Sequence, residues 1–476
     1  MRKTKIICTI GPSSESEEII EKLCLAGMNV ARFNFSHGTH EWHKTVMDRV
    51  KKVREKLGLP VAIMLDTKGP EYRIGTFACG SVELNDGDRF VFTVDDVEGT
   101  REKVSVSFKT LNTELAPGDR IYVNDGIVQF RVDEIKGSDI CCTVTAGGTI
   151  SDRKSMSFPG KVLHQVFLSD RDREDLLFGI RNEVDYVAAS FVSNAENVDD
   201  IRSFLNANGG ESIGIIAKIE NQSGVDHIYE IAKKCGGVMV ARGDLGVEVP
   251  PAQVPHLQKM IIAKCNDAYK IVITATQMLN SMIENPRPTR AEITDVANAI
   301  YDGTDCVMLS GETASGRFPV EAVKTMSDIC IETEKHLQER KAYHERKGLA
   351  NVSAATGYSA VFMAEQVGAA AILCPSHSGR TARIVAAYRP DLPILVPSPN
   401  EETLRTCCFI WGAKAYKTIE QGTLQNTIYH SLQVAREVGL VNAGELVVIT
   451  AGDPQTSPRM GNYSTSTNMS MIAQVQ

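Results

Sequence analysis

Short β-branched or apolar runs recur at residues 4–10, 29–35, 61–66, 185–191, 214–220, 237–241, 271–276 and 306–310. Most neighbours are separated by a stretch of helical periodicity, at 16–26, 40–56, 171–182, 195–208, 224–234, 252–269 and 290–301, and another at 320–340 follows the eighth run. Parallel strands need helical crossovers, so eight such units in succession predict an α/β chain whose centre is a (β/α)8 TIM barrel.

One connection breaks the rhythm. Roughly 115 residues separate the third run from the fourth, where about 2–6 are usual for a βα loop. The intervening segments VELNDGDRFVFTV, KVSVS, DRIYVNDGIVQFRVDEI and DICCTVTAGG alternate like strands and are broken by Gly and Asp turns. They predict an all-β domain, a small β-barrel, at 70–165, inserted after strand 3 and placed to act as a lid over a barrel that occupies 1–69 and 166–341. Past the charged segment HLQERKAYHERKG the pattern restarts, with apolar runs at 369–374, 394–396, 413–416 and 446–450 and a helical stretch at 381–388. A C-terminal α/β domain at 342–476 follows, and the polar NYSTSTN within it reads as a surface loop.

Charge and composition exclude several classes. Lys and Arg number 51 against 59 Asp and Glu, a net charge of −8, where a nucleic-acid-binding chain is more often basic. No apolar run approaches the ~18 residues of a membrane span, and MRKTKIICTIGP passes from charge into a strand without the apolar core of a leader. The 12 cysteines are scattered, and Cys141/Cys142 and Cys407/Cys408 are adjacent rather than spaced as CxxC, which suits buried free thiols in a reducing compartment. A cytoplasmic protein without nucleic-acid or membrane partners is expected.

Barrel chemistry sits at the C-terminal ends of the strands. VARFNFSH spaces Arg32, Asn34 and Ser36 two apart, hence on one face, with Phe33 and Phe35 on the other. LDTKGP adds Asp66 and Thr67, completing an oxygen set hard enough for an alkali or alkaline-earth cation. IIAKIEN puts Lys218 and Glu220 on one face, and VMVARGDLG ends in Arg242, Gly243 and Asp244. Glu220 and Asp244 can share a Mg²⁺, which dehydrates reluctantly and takes one or two carboxylates. Lys218 can stabilise charge developing on an oxygen, or simply pair with Glu220. Gly243 allows close backbone approach, so its N–H can hold a carboxylate or phosphate. Thr276, ending ITATQM, can relay a proton or merely cap a turn, and Ser310 and Glu312 in LSGETA are either further site residues at a strand end or equally partners for Arg32.

His37, His40 and His43 are spaced by three rather than by the four of HExxH, so no zinc site is read there. In CPSHSGRTARIVAAY, Ser376, Ser378, Gly379, Arg380 and Thr381 lead from a strand into a helix. Hydroxyls, backbone N–H groups and a guanidinium there suit a phosphate, and a plain Ser/Thr cap is the alternative.

Taken in order, TKIICTIGPSS, NVARFNFSHGTHE, LDTKGPEYR, IIAKIENQSGV, VMVARGDLGVE, TATQMLNSM and MLSGETASG resemble the pyruvate kinase family from the first residues into the C-terminal domain. The resemblance implies phosphoryl transfer from phosphoenolpyruvate to ADP, giving pyruvate and ATP. It implies Mg²⁺ (or Mn²⁺) on Glu220 and Asp244, and K⁺ on Asn34, Ser36, Asp66 and Thr67, with Glu71 where an acidic residue accompanies K⁺ dependence. Lys218 would face the phosphoryl group in transit and Arg32 would hold the phosphate. Gly243, Asp244 and Thr276 would hold the carboxylate, with Thr276 also placed to deliver a proton to C3. The nucleotide is expected at Asn34, Phe35, Ser36, His37, Arg73 and Lys154. The family is usually a homotetramer, and Ser376–Thr381 would take a phosphorylated effector such as a sugar phosphate.

Departures exist too. Ser155 stands where the family usually has Gly, Ser315 replaces a common Lys, GDPQTSPRMGNYSTSTN differs from familiar effector loops, and a chain ending near 476 implies that the extra domain of some bacterial members is lacking. Two rivals are a metal-dependent barrel lyase or aldolase acting on pyruvate-like substrates, which has no need of Arg73, Lys154 or a lid, and a silent sugar-phosphate sensor, which has no need of Lys218, Glu220, Asp244 and Thr276.

Overall fold

The computed structural model describes residues 2–161, 163, 166–337, 351–419, 421–452 and 467–476. Most of HLQERKAYHERKG and NYSTSTN, residue 165 at one expected boundary and residues 341 and 342 at the other lie outside the described residues.

Eight parallel strands close into a barrel: β1 (Lys5–Thr9), β2 (Val30–Asn34), β3 (Ala62–Asp66), β4 (Tyr186–Ala189), β5 (Gly214–Ile219), β6 (Gly237–Ala241), β7 (Ile271–Ala275) and β8 (Cys306–Leu309). Each predicted run contains one, and β8 returns to pair with β1. Period-2 alternation sorts the interior by height. Val30, Met64, Ala188, Ile216 and Met239 fill the lower part with apolar side chains. Two residues further along their strands, Arg32, Asp66 and Lys218 line the top and are buried. The outward-facing set, including Phe33, Leu65, Ala217 and Val240, packs beneath the helices.

Two predicted helices are broken. The segment at 224–234 becomes Gln222–Asp226 and Ile228–Lys234, interrupted at His227, whose ring Nδ1 lies 2.9 Å from the carbonyl oxygen of Ser223. The segment at 252–269 opens with a 3₁₀ turn, Pro251–Gln253, before the α-helix Val254–Asp267. Pro251 and Pro255 lack the N–H groups that would continue a helix upstream.

The inserted segment forms a seven-stranded, mostly antiparallel sheet and a two-stranded companion around Phe90, Phe92 and Phe130, whose ring centroids lie 4.9–5.6 Å apart. Its outgoing strand Tyr72–Arg73 and returning strand Ser155–Ser157 pair with each other, so both connections to the barrel run side by side.

The C-terminal part carries a five-stranded sheet in the order Ala413–Lys417, Ile394–Ser398, Ala371–Leu373, Leu446–Ala451, Met469–Gln474. The last strand, antiparallel to its neighbour, is absent from the sequence reading because MSMIAQ has no clean alternation. This sheet docks on the bottom of the barrel. Arg405 Nε reaches Asp185 Oδ1 at 2.5 Å and Arg389 Nη1 reaches Asp305 Oδ1 at 2.7 Å. The other carboxylate oxygens of Asp185 and Asp305 accept from the backbone N–H groups of Ile63 and Val272, both at 2.8 Å. Phe409 enters the barrel floor, its ring centroid 4.4 Å from that of Tyr186. All 12 cysteines are free; Cys79 is exposed and Cys141 half-buried, against the expectation of general burial.

Candidate active site

The barrel mouth holds four charged side chains in contact. Strand register sets Asn34 beside Asp66 and Thr9 beside Arg32. Arg32 Nε donates to Asp66 Oδ2 at 2.6 Å and Arg32 Nη1 to Thr9 Oγ1 at 2.8 Å. Lys218 Nζ lies 3.1 Å from Asp66 Oδ1, 2.9 Å from Glu220 Oε1 and 2.7 Å from Ser190 Oγ. The backbone N–H of Phe191 donates to Glu220 Oε2 at 2.6 Å. Arg32, Asp66, Lys218 and Glu220 therefore form a continuous alternating chain of charge.

Burial penalises each of these charges, and pairing decides the outcome. For Asp66, burial is outweighed by Arg32 and Lys218, which hold its carboxyl below the usual range. For Lys218, burial is outweighed by Asp66 and Glu220, which keep the ammonium charged. Glu220 is pushed up to about 7, mainly by burial, with Asp244 adding to the shift and Lys218 opposing it. A buried carboxylate so disfavoured as an anion gains from a cation brought to it. Among the described residues no group of three or more His, Cys, Asp or Glu side chains forms a ready-made metal site. The hard oxygens of buried Glu220 and exposed Asp244 still fit Mg²⁺, which accepts water and substrate oxygens as its remaining ligands.

The end of β7 is strained. Thr276 has φ 68° and Gln277 φ 55°, left-handed values that cost a β-branched residue such as threonine about 1–3 kcal/mol. Arg242 holds the turn, with Nη2 donating to Thr276 O at 2.6 Å and Nη1 to Asp295 Oδ1 at 2.7 Å. The Gly243 N–H then donates to Thr276 Oγ1 at 2.9 Å. A methyl group built on Gly243 would lie 3.6 Å from that hydroxyl oxygen, so the glycine leaves open the space beside it.

At β2 and β3, Asn34 Oδ1 accepts from Ser36 N at 3.1 Å, and Thr67 Oγ1 accepts from Ser190 N at 3.2 Å. Together with Asp66 they offer hard oxygens to K⁺. Arg73 pairs with Glu71 and donates to the Arg153 carbonyl at 2.5 Å. Arg73 is the register partner of Ser155, which puts it next to Lys154. His37 is exposed at the rim, and Arg171 Nη2 donates to the Phe35 carbonyl at 3.0 Å. In the C-terminal sheet, Ser376 Oγ accepts from Gly379 N at 2.9 Å, Gly379 (φ 73°) precedes the short helix Arg380–Ala386, and Thr381 Oγ1 lies 2.8 Å from Thr467 Oγ1.

One expectation is corrected. Glu312 does not accompany Arg32: its carboxylate accepts from the backbone N–H groups of Leu279 at 3.0 Å and Ser310 at 2.7 Å, tying β8 to the loop after β7. The histidines are occupied elsewhere, His40 Nε2 lying 2.6 Å from Asp175 Oδ1, and His43 Nε2 lying 2.9 Å from the His37 carbonyl with its ring stacked on Phe35. Sequence reasoning missed Ser190, Thr9 and the Phe191 N–H. Ser190 was within reach, as the polar residue that ends the fourth run.

Comparison with known proteins agrees with this fold. The family described as "Pyruvate kinase, barrel domain" matches residues 1–323, and "Pyruvate kinase, alpha/beta domain" matches residues 354–473. A pyruvate kinase of Clostridium acetobutylicum is 45% identical over 100% of both chains. One from Staphylococcus haemolyticus is 46% identical over 95% of this chain and 78% of its own length. A crystal structure of a pyruvate kinase from Cryptosporidium parvum superposes with a TM-score of 0.93 at 38% identity, covering 100% of this chain and 96% of that one. No helix among the described residues is long and apolar enough to cross a membrane. With both family descriptions, full-length relatives and the closed barrel in agreement, this chain belongs to the pyruvate kinase family of phosphotransferases.

Proposed function

We propose that the barrel mouth carries out the family's reaction, phosphoenolpyruvate + ADP → pyruvate + ATP, with the Arg32–Asp66–Lys218–Glu220 cluster as its electrostatic centre. The bond between phosphorus and the enol oxygen breaks as one to the terminal ADP oxygen forms, and the enolate then takes a proton at C3. Lys218, fixed from three sides and kept charged, faces the phosphoryl group and the enolate oxygen, where preorganised positive charge counts most. Arg32 holds the phosphate. The backbone at Gly243 and Asp244, with Thr276, holds the carboxylate in the space the glycine leaves, and the Thr276 hydroxyl hands on the proton.

Glu220 and Asp244 would hold Mg²⁺, which would supply positive charge to offset the negative charge of the substrate. Asn34, Ser36, Asp66 and Thr67 would hold K⁺. Asn34 to His37, Arg73 and Lys154 receive the nucleotide, so 70–165 acts as the lid, 1–69 with 166–341 as the catalytic barrel, and 342–476 as the effector and assembly domain of a cytoplasmic homotetramer. A phosphorylated effector such as a sugar phosphate binds at Ser376–Thr381. The buried, alternating charge cluster carries this reading, because a barrel does not collect four charges at its mouth without use.

Lys218→Met tests it. Retained ketonisation of enolpyruvate with lost phosphoryl transfer is the expected result, and unchanged phosphoryl transfer overturns the role of Lys218. Folded wild-type protein that forms no pyruvate from phosphoenolpyruvate in the presence of Mg²⁺, K⁺ and ADP would overturn the whole reading in favour of a lyase or a sensor.

A further inference from the structure

Lid and barrel meet at one short helix. Arg242–Glu248 begins at the end of β6 with Gly243 and Asp244, and one turn beyond Asp244 it ends in Glu248. An acidic side chain at a helix C-terminus faces the negative end of the dipole. Burial adds to that cost and pushes the Glu248 carboxyl up to about 7, with the Phe158 N–H opposing the shift and Asp244 reinforcing it. A carboxylate placed so unfavourably for stability calls for another explanation.

Its contacts supply one. The backbone N–H of Phe158, directly after the returning lid strand Ser155–Ser157, donates to Glu248 Oε1 at 3.3 Å. The Phe158 ring meets Tyr72 of the outgoing lid strand edge-on, with centroids 5.3 Å apart. Met156 and Tyr72 are register partners, as are Ser155 and Arg73, so Arg73 rides on this pair of strands and Lys154 directly precedes the returning one. A second contact lies next door: a lid turn in which Asn124, Asp125 and Gly126 are all left-handed comes against Val247, whose Cγ1 is 3.5 Å from a methyl group built on Gly126.

We propose that Glu248 is a positioning residue, anchoring both hinge strands of the lid to the helix that carries Asp244, and so aiming Arg73 and Lys154 over the barrel mouth. The proposal rests on the reading of those two cations as nucleotide ligands. It makes the lid's orientation depend on the helix whose first turn meets the substrate carboxylate. Nucleotide binding should therefore suffer first when the anchor is cut, while chemistry confined to the barrel is spared.

Steady-state kinetics of Glu248→Ala and Glu248→Gln, alongside nucleotide-free ketonisation of enolpyruvate, test this. Glu248→Ala removes the acceptor and raises KM for ADP about tenfold, while KM for phosphoenolpyruvate and the ketonisation rate stay within about twofold of wild type. Glu248→Gln keeps an acceptor oxygen and recovers most of the loss. Should Glu248→Ala not fold, Glu248→Asp, one methylene too short to reach Phe158, is expected to show the same rise in KM for ADP. An unchanged KM for ADP in the folded variant, or an equal rise in both KM values, overturns the proposal. Absence of ADP-dependent turnover in the wild type overturns the functional reading and this inference with it, whereas wild-type turnover with an insensitive Glu248 removes this inference alone.

Discussion

Ser190 Oγ stands 2.7 Å from Lys218 Nζ and 2.6 Å from the carbonyl oxygen of Thr67, so one hydroxyl accepts from the ammonium while donating to the end of β3. The ammonium is thereby fixed by a neutral partner as well as by two carboxylates, and its direction does not depend on how Glu220 is engaged.

Ser190→Ala deletes that guide and leaves both ion pairs of Lys218 intact. The variant should fold normally and lose about tenfold in kcat with little change in KM, because a hydrogen bond to a charged group is worth about 1.5–3 kcal/mol and part of it is replaced by water. Steady-state rates with saturating phosphoenolpyruvate check this; an unchanged kcat would mean that Asp66 and Glu220 orient Lys218 alone.

Gly243→Ala separates packing from binding. The added methyl clears Thr276 Oγ1 at 3.6 Å, so thermal stability should change little, yet it occupies the space assigned to the substrate carboxylate. KM for phosphoenolpyruvate is expected to rise more than about tenfold. An unaltered KM would place the carboxylate elsewhere.

Removal of K⁺ at constant ionic strength, with a non-activating cation in its place, should abolish most activity while leaving the fold unchanged. Asn34, Asp66 and Thr67 are already fixed by protein partners and need no ion to hold them. Equal rates in both salts would exclude K⁺ from the β2–β3 rim.

His43 gives the protein an acid sensitivity of known sign. Burial against Phe35 is the main cause that lowers its pKa from 6.5 to about 4, partly opposed by the His37 carbonyl. Between those values the unfolded chain binds a proton that the native protein refuses. Stability is fully present above pH 6.5 and is lost as the pH falls toward 4, by about 3 kcal/mol for this group. Thermal unfolding of His43→Gln at several pH values in this window should show a shallower decline than wild type; parallel declines would assign the acid sensitivity to other groups.

Much of the architecture could be read before folding because it rests on local periodicity. Eight apolar runs became eight barrel strands, and Arg32 with Asn34, and Lys218 with Glu220, could each be placed on one face because alternate residues of an extended run share one. Where local signals were weak or contested the reading failed: His227 and the prolines at 251 and 255 interrupted helices, and MSMIAQ paired as an edge strand without a pattern to announce it.

By itself, the sequence determined the barrel, the insert after its third strand and the list of charged residues at the strand ends, since spacing along one chain is enough to fix these. Which charges touch was decided only by closure of the barrel. Asp66 meets both Arg32 and Lys218, Glu312 turns away to bind Leu279 and Ser310, and Ser190, unremarkable in the chain, becomes a partner of Lys218. The same holds for Glu248 and Phe158, 90 residues apart, which meet because the strand returning from the inserted domain ends beside the helix that follows β6. Hydrogen bonds and desolvation depend on distances in space, and those between strands are set by register and ring closure, which no local pattern encodes.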